Sequence, residues 1–135
     1  MIVLDSSILV GIINLEKDAE TFIDLISSQK CLFGAPTLVE TRIWCAANIS
    51  DQISRWLEDF IGGDDVSIVP FSNEMATVAT QAYIKYGRSS GHPARLNFGD
   101  CMSYAVSAVM RAPLLFKGSD FGHTDVMVHP ASVRL

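Results

Sequence analysis

The sequence offers no cysteine pair. Cys31, Cys45 and Cys101 lie far apart with no CxxC between them, which excludes a disulfide scaffold. Their apolar surroundings predict buried free thiols in a reducing cytosol. No long apolar run is present either. The longest, Ile8 to Ile13, falls far short of the ~20 residues of a spanning helix. No basic stretch precedes an apolar one near the first residue, and Asp5 interrupts that region, so no signal peptide is read and a cytoplasmic protein is expected. Positive charge is scarce. Ten Lys and Arg face fifteen Asp and Glu, for a net charge of −5. This argues against broad electrostatic binding to nucleic acid but leaves room for a local basic groove. There is no internal repeat, low-complexity tract or linker. There is no GxGxxG or phosphate loop, and no serine elbow. His92, His123 and His129 form no HxxxH or His/Cys cluster.

What is present is an ordinary globular composition. Of 135 residues, 49% are hydrophobic and 19% charged, which excludes disorder. A chain of this length buries roughly two-thirds of its unfolded surface. One domain spanning residues 1–135 is expected. Short apolar runs alternate with helical periods. Ile2–Leu4, Cys31–Phe33, Val66–Val69, Leu114–Phe116 and Val126–Val128 read as five strands. Helices are predicted between them. Asp18 caps one with Phe22 and Ile26 inward, and Pro36 opens another with Val39, Ile43, Ala46 and Ala47 on its buried stripe. Asp51 caps a third that ends at Gly62-Gly63, Ser72 a fourth, and Asn97 a fifth that runs to about Arg111 before Pro113. Strands joined by helices imply an α/β three-layer sandwich. Its five-stranded, mainly parallel sheet lies between helices. Ligands of such sheets sit beyond the carboxyl ends of the strands.

Four acids fall at those ends. Asp5 follows the first strand, and Glu40 lies early in the helix after the second. Asp100 lies in the first turn of the helix after the Gly87–Arg95 loop, and Asp120 follows the fourth strand. Each has a plain alternative. Asp5 can cap a helix starting at Ser6, Glu40 can favour the positive end of its helix, Asp100 can complete a capping box with Asn97, and Asp120 can sit in a turn. Their joint placement is what points to a site. Two carboxylates ~5 Å apart repel by roughly 3 kcal/mol at an effective dielectric of ~20. A converging quartet therefore takes up protons or holds a cation. Oxygen donors without Cys or His favour Mg²⁺ or Mn²⁺ over zinc. Such a cluster suits hydrolytic phosphoryl chemistry, in which a metal lowers the pKa of a water.

These residues resemble the PIN-domain family, specifically VapC-type toxin ribonucleases of bacterial toxin–antitoxin pairs. The resemblance covers the whole length. It rests on Ile2-Val3-Leu4-Asp5-Ser6-Ser7, on Glu40 after Ala35-Pro36-Thr37-Leu38-Val39, and on Leu96-Asn97-Phe98-Gly99-Asp100-Cys101 with Tyr104-Ala105 following. The closing motif is Leu114-Leu115-Phe116-Lys117-Gly118-Ser119-Asp120-Phe121, then Thr124-Asp125. It implies a Mg²⁺- or Mn²⁺-dependent endoribonuclease acting on structured RNA, a tRNA or a ribosomal RNA loop. It also implies a homodimer and a cognate antitoxin that blocks the site. By the same resemblance, Asp5 and Asp100 are metal ligands, Glu40 is a ligand or holds a metal-bound water, and Asp120 is the fourth acid. Many relatives carry an acid or amide where Ser119 stands, which puts a tightly held second metal in doubt. Ser6 and Ser119 are candidates to hydrogen-bond an acid or a bound water. Arg42, Lys85, Arg88, Arg95 and Lys117 are candidates for phosphate contacts, a solvated face being the alternative for each. Two other classes remain: an inactive PIN-like binding protein, and a phospho-acceptor signalling domain. The latter is disfavoured because the third strand ends at Val69-Pro70-Phe71 without an aspartate.

Overall fold

The computed structural model describes residues 1–48 and 50–135. The chain opens with β1 (Ile2–Leu4), α1 (Ser6–Ile13) and α2 (Ala19–Ser27). It continues through β2 (Cys31–Gly34), α3 (Ala35–Asn48), α4 (Asp51–Ile61), β3 (Val66–Val69), α5 (Asn73–Tyr86) and α6 (Phe98–Met110). It closes with β4 (Leu114–Leu115), β5 (Lys117–Gly118), a 3₁₀ turn at Phe121–His123, and β6 (Val133–Arg134).

The main sheet has the order β3-β2-β1-β4, all parallel. Both of its faces are covered, so its strands read as continuous apolar runs. The pleat sorts them by alternation. Val3, Leu32 and Leu114 enter a core with Met75, Ala79 and Ala82 of α5 and Cys101, Ala105 and Val106 of α6. Ile2, Leu4, Cys31, Phe33 and Leu115 enter the opposite core with Ile8 and Ile12 of α1, Phe22 of α2, Leu38 of α3 and Leu57 of α4. Each large side chain fully buried there contributes about 1.5–3 kcal/mol. The three cysteines are buried free thiols. No helix among the described residues is long and apolar enough to cross a membrane.

The path β1, β2, β3 runs outward in one direction; the α5–α6 crossover then returns the chain to the other side of β1. The switch in direction lies between β1 and β4. A crevice opens beyond their carboxyl ends, where Asp5 and the Lys117–Asp120 segment follow.

Several expectations are corrected. The fifth strand, Val126–Val128, is reduced to one parallel bridge from Leu114 to Val128 beside β4. β4 is itself only two residues long. Pro113 lacks a donor before it, and the Phe116 N–H turns to the Ser132 hydroxyl. A separate two-stranded parallel sheet pairs β5 with β6. The sequence points to α1 only through the possible cap at Asp5. Its residues Ile8, Leu9, Ile12 and Ile13 are all buried, on a helix of eight residues.

The buried stripe of α3 is Thr37, Leu38, Thr41 and Cys45, while Val39 and Ile43 are 55% and 65% exposed. An apolar count misses this face because two of its members are threonines, which enter the interior with their hydroxyls bonded. Ser50, not Asp51, stands at the start of α4. Asp18 sits at the start of α2 without a side-chain cap. Ser72 and Asn97 cap α5 and α6 as read.

Candidate active site

Asp5 leaves β1 with its N–H on the Leu115 carbonyl at 3.1 Å, which ties it to β4. Asp5 is 5% exposed, and both of its carboxylate oxygens have donors. Oδ2 accepts from the Ser7 N–H at 3.0 Å, and Oδ1 accepts from the Ser103 hydroxyl at 2.7 Å. The first bond caps α1. The capping reading of Asp5 is therefore correct and does not compete with its place in the crevice.

Asp100 is the third residue of α6. The Asn97 N–H donates to Asp100 Oδ2 at 2.9 Å, and the Asp100 N–H donates to Asn97 Oδ1 at 2.8 Å, a complete capping box. Burial pushes the Asp100 carboxyl up to about 7. The Asn97 N–H opposes the rise, and Asp5, Asp120 and Glu40 each add to it. The three other acids thus all act on Asp100, and the quartet read from distant parts of the chain shares one field.

Glu40 stands at the rim on α3. Partial burial raises its carboxyl above the ordinary range, a hydrogen bond with Ser6 pulls it back, and Asp5 adds to the rise. Its carboxylate lies over Gly99, where a Cβ would overlap Oε2. The fourth acid, Asp120, accepts from the Ser119 hydroxyl at 3.1 Å. Its segment is anchored by Phe121, whose ring packs on Phe116 at 5.1 Å, and by the Ser7 hydroxyl, which accepts from the Lys117 N–H at 3.0 Å. Farther along, Tyr104 of α6 donates to Asp125 at 2.5 Å and holds the closing segment against the helix. That bond also lowers the Asp125 carboxyl below its usual range.

These side chains line one cleft of about 180 Å³: Asp5, Ser6, Ser7, Glu40, Asn97, Asp100 and Lys117 to Phe121. Its donors are carboxylates, hydroxyls and an amide, a set that suits a hard divalent cation. As the side chains stand, no three acid, histidine or cysteine groups among the described residues are close enough to hold one ion. The fit therefore lies in donor chemistry and mutual repulsion, not in a preformed cage.

Two of the candidate phosphate contacts are paired with acids within the protein. Lys117 Nζ lies 3.0 Å from Glu16 and 2.9 Å from Asp18, with its side chain mostly covered. Arg42 pairs with Glu58 at 2.6 Å. Both cations have acidic partners, which sequence spacing does not reveal. Arg88 and Arg95 are exposed in the loop ahead of α6, and no ion pair among the described residues engages them. Lys85 lies over the Tyr86 ring at 4.9 Å.

Sequence reasoning gives no role to Ser7, Gly99 or Ser103. The available signal for Ser103 was its spacing of three from Asp100, which puts both on one side of α6.

Comparison with known proteins follows the same lines. A model of the PIN domain matches residues 2–127. Ribonuclease VapC28 of Mycobacterium tuberculosis is 38% identical over 125 residues, covering 92% of this chain and 94% of its own. The crystal structure of M. tuberculosis VapC20, a sarcin–ricin loop cleaving toxin, superposes with a TM-score of 0.76 at 17% identity, over 96% of this chain and 100% of its own. A toxin–antitoxin complex from Klebsiella pneumoniae superposes with a TM-score of 0.72 at 16% identity, over 98% and 100%.

Proposed function

Because this chain belongs to the PIN-domain family, with VapC ribonucleases among its relatives, we propose that it is a divalent-cation-dependent endoribonuclease. In this reading it is the toxin of a toxin–antitoxin pair and works in the cytoplasm, the whole chain acting as one nuclease domain. The observation that carries the proposal is the quartet of carboxylates around one cleft at the switch point of the sheet, with Asp100 lifted to about 7 by burial and its three acidic neighbours. A site that costs this much to keep ionised is one that a cation relieves.

Asp5, Asp100, Glu40 and Asp120 would hold Mg²⁺ or Mn²⁺. When bound, the ion supplies Lewis-acid chemistry, lowering the pKa of a water and neutralising phosphate charge. The protein groups have separate tasks. Ser103 and Ser7 orient Asp5. Asn97 holds one oxygen of Asp100, leaving the other for the cleft. Ser6 steadies Glu40, and Ser119 steadies Asp120. Ser119 stands neutral beside Asp120, which favours a single well-held ion over two. Arg88 and Arg95 receive RNA phosphates on the α6 side of the cleft.

Structured RNA, a tRNA or a ribosomal RNA loop, is the proposed substrate class, in keeping with the activity named for VapC20. A cognate antitoxin is the proposed protein partner, in keeping with the complex from K. pneumoniae. A homodimer is supported by an apolar surface beside the cleft. Val39, Ile43 and Phe98 line one groove with Glu40, Phe98 and Ile84 share the next, and all four are more than half exposed, the kind of apolar surface that marks an interaction site.

The test is the chemistry of the cut ends. Purified protein incubated with RNA and Mg²⁺ is expected to leave 5′-phosphate and 3′-hydroxyl ends, the products of attack on the phosphodiester by water and not by a ribose 2′-hydroxyl. Products ending in a 2′,3′-cyclic phosphate would contradict the proposal.

A further inference from the structure

Four polar side chains sit almost fully inside the protein behind the cleft: Asp5, Thr37, Thr41 and Ser103 are each at most 5% exposed. Buried polar groups of this kind are costly unless paired. The pairing here is directional. An ionised carboxylate only accepts, so the Ser103 hydroxyl spends its proton on Asp5 Oδ1 at 2.7 Å. Ser103 Oγ is then an acceptor, and the Thr37 hydroxyl, 3.2 Å away, is the donor to it. Thr41 donates to the Thr37 carbonyl at 2.8 Å and does not compete for that hydroxyl. The result is a one-way chain from Thr37 through Ser103 to Asp5, crossing from α3 through α6 to the end of β1. Gly34 permits the close approach of α6. A Cβ there would stand 2.9 Å from Val106 Cγ2 and 3.7 Å from Thr37 Oγ1.

We propose that Ser103, backed by Thr37, is the positioning residue for Asp5. With the Ser7 N–H on Oδ2, the Ser103 hydroxyl fixes both oxygens of the carboxylate, so the remaining lone pairs face the cleft in one orientation. The functional consequence rests on the nuclease reading above; the geometric claim does not. Groups that orient a metal-binding side chain in this way typically change metal affinity by 10–100-fold when removed.

Two variants test this, Ser103→Ala and Thr37→Val. The first removes the donor to Asp5, and the second leaves that donor but frees it to rotate. Crystal structures of the cation-free wild type and Ser103→Ala protein give the first readout. The expected result is an Asp5 carboxylate rotated, or split between orientations, in the variant. A single wild-type orientation would overturn the proposal whether or not the protein cuts RNA. The second readout is Mn²⁺ binding by electron paramagnetic resonance. Ser103→Ala should weaken it about tenfold and Thr37→Val by a smaller factor, while Thr37→Val should add nothing in the Ser103→Ala background. Variants that lose thermal stability yet bind Mn²⁺ as the wild type does would show a purely structural role and overturn the proposal. A wild type that neither binds Mn²⁺ nor cuts RNA would overturn the nuclease reading instead, with the Asp5 orientation still deciding the role of Ser103.

Discussion

At the scale of single residues, the site is set by what each carboxylate is allowed to touch. Asp5 has two donors and is held in the crevice; Asp100 has one donor and three acidic neighbours. The sign of the consequence is fixed. The Asp100 carboxyl is raised from 3.8 to about 7 on folding without a cation. Between those values the folded protein binds more protons than the unfolded chain, so this group makes stability fall as pH rises from about 4 to about 7. The melting temperature of the cation-free protein should therefore drop between pH 5 and pH 8. Asp100→Asn should raise it at pH 8 and remove much of the dependence. Thermal melts in chelator check this, and an unchanged slope in Asp100→Asn would refute the assignment. Gly99 gives a second prediction. An added methyl collides with the Glu40 carboxylate, while alanine suits a helix by up to ~1 kcal/mol. Gly99→Ala should keep or raise stability and cut RNA cleavage at least tenfold. Cleavage rates beside a melting curve separate the two effects.

At the scale of elements, periodicity located most helices and the first three strands, the second one residue short at Gly34. It failed where burial is earned by hydrogen bonding. On α3, Thr37 and Thr41 face inward because each hydroxyl has a partner, and the apolar Val39 and Ile43 are turned outward. On α6, Ser103 and Ser107 are buried for the same reason, Ser107 donating to the Ala112 carbonyl at 2.7 Å. The acids were legible because their element sets each one. Asp5 follows β1, Asp120 lies shortly beyond the neighbouring β4, and Asp100 completes a cap visible in Asn97-Phe98-Gly99-Asp100. The partners of Lys117 and Arg42 were not legible, since Glu16, Asp18 and Glu58 reach them only through the fold. The loop ahead of α6 carries the next prediction. Arg88→Ala and Arg95→Ala should weaken RNA binding uniformly across sequences and flatten its dependence on salt, each by about one phosphate contact. Filter binding at several salt concentrations reads this. Arg42→Ala should leave the slope unchanged.

At the scale of the molecule, a net charge of −5 has to be reconciled with an anionic substrate. Four of the fifteen acids line the cleft, where a cation would offset them, and the exposed arginines lie in the loop ahead of α6. Val39, Ile43 and Phe98 line a groove between α3 and α6 together with Glu40 of the cleft, and Phe98 shares a second groove with Ile84. Pairing two copies there would cover that surface and bring two loops with Arg88 and Arg95 into one assembly. Ile43→Glu should shift the protein from dimer to monomer in light scattering with little change in melting temperature, because Ile43 is 65% exposed. A wild type that is monomeric at micromolar concentration would contradict this.

The central claim is that four carboxylates, gathered at the switch point of one sheet, cut RNA with a divalent cation. The most direct measurement is sequencing of new 5′ ends after incubating cellular RNA with purified, antitoxin-free protein. It is run with Mg²⁺, with chelator, and with Asp5→Asn. The account predicts a few discrete cuts in structured RNA that vanish with chelator and with Asp5→Asn. Cuts that persist under either condition, or none with Mg²⁺ or Mn²⁺, would contradict it.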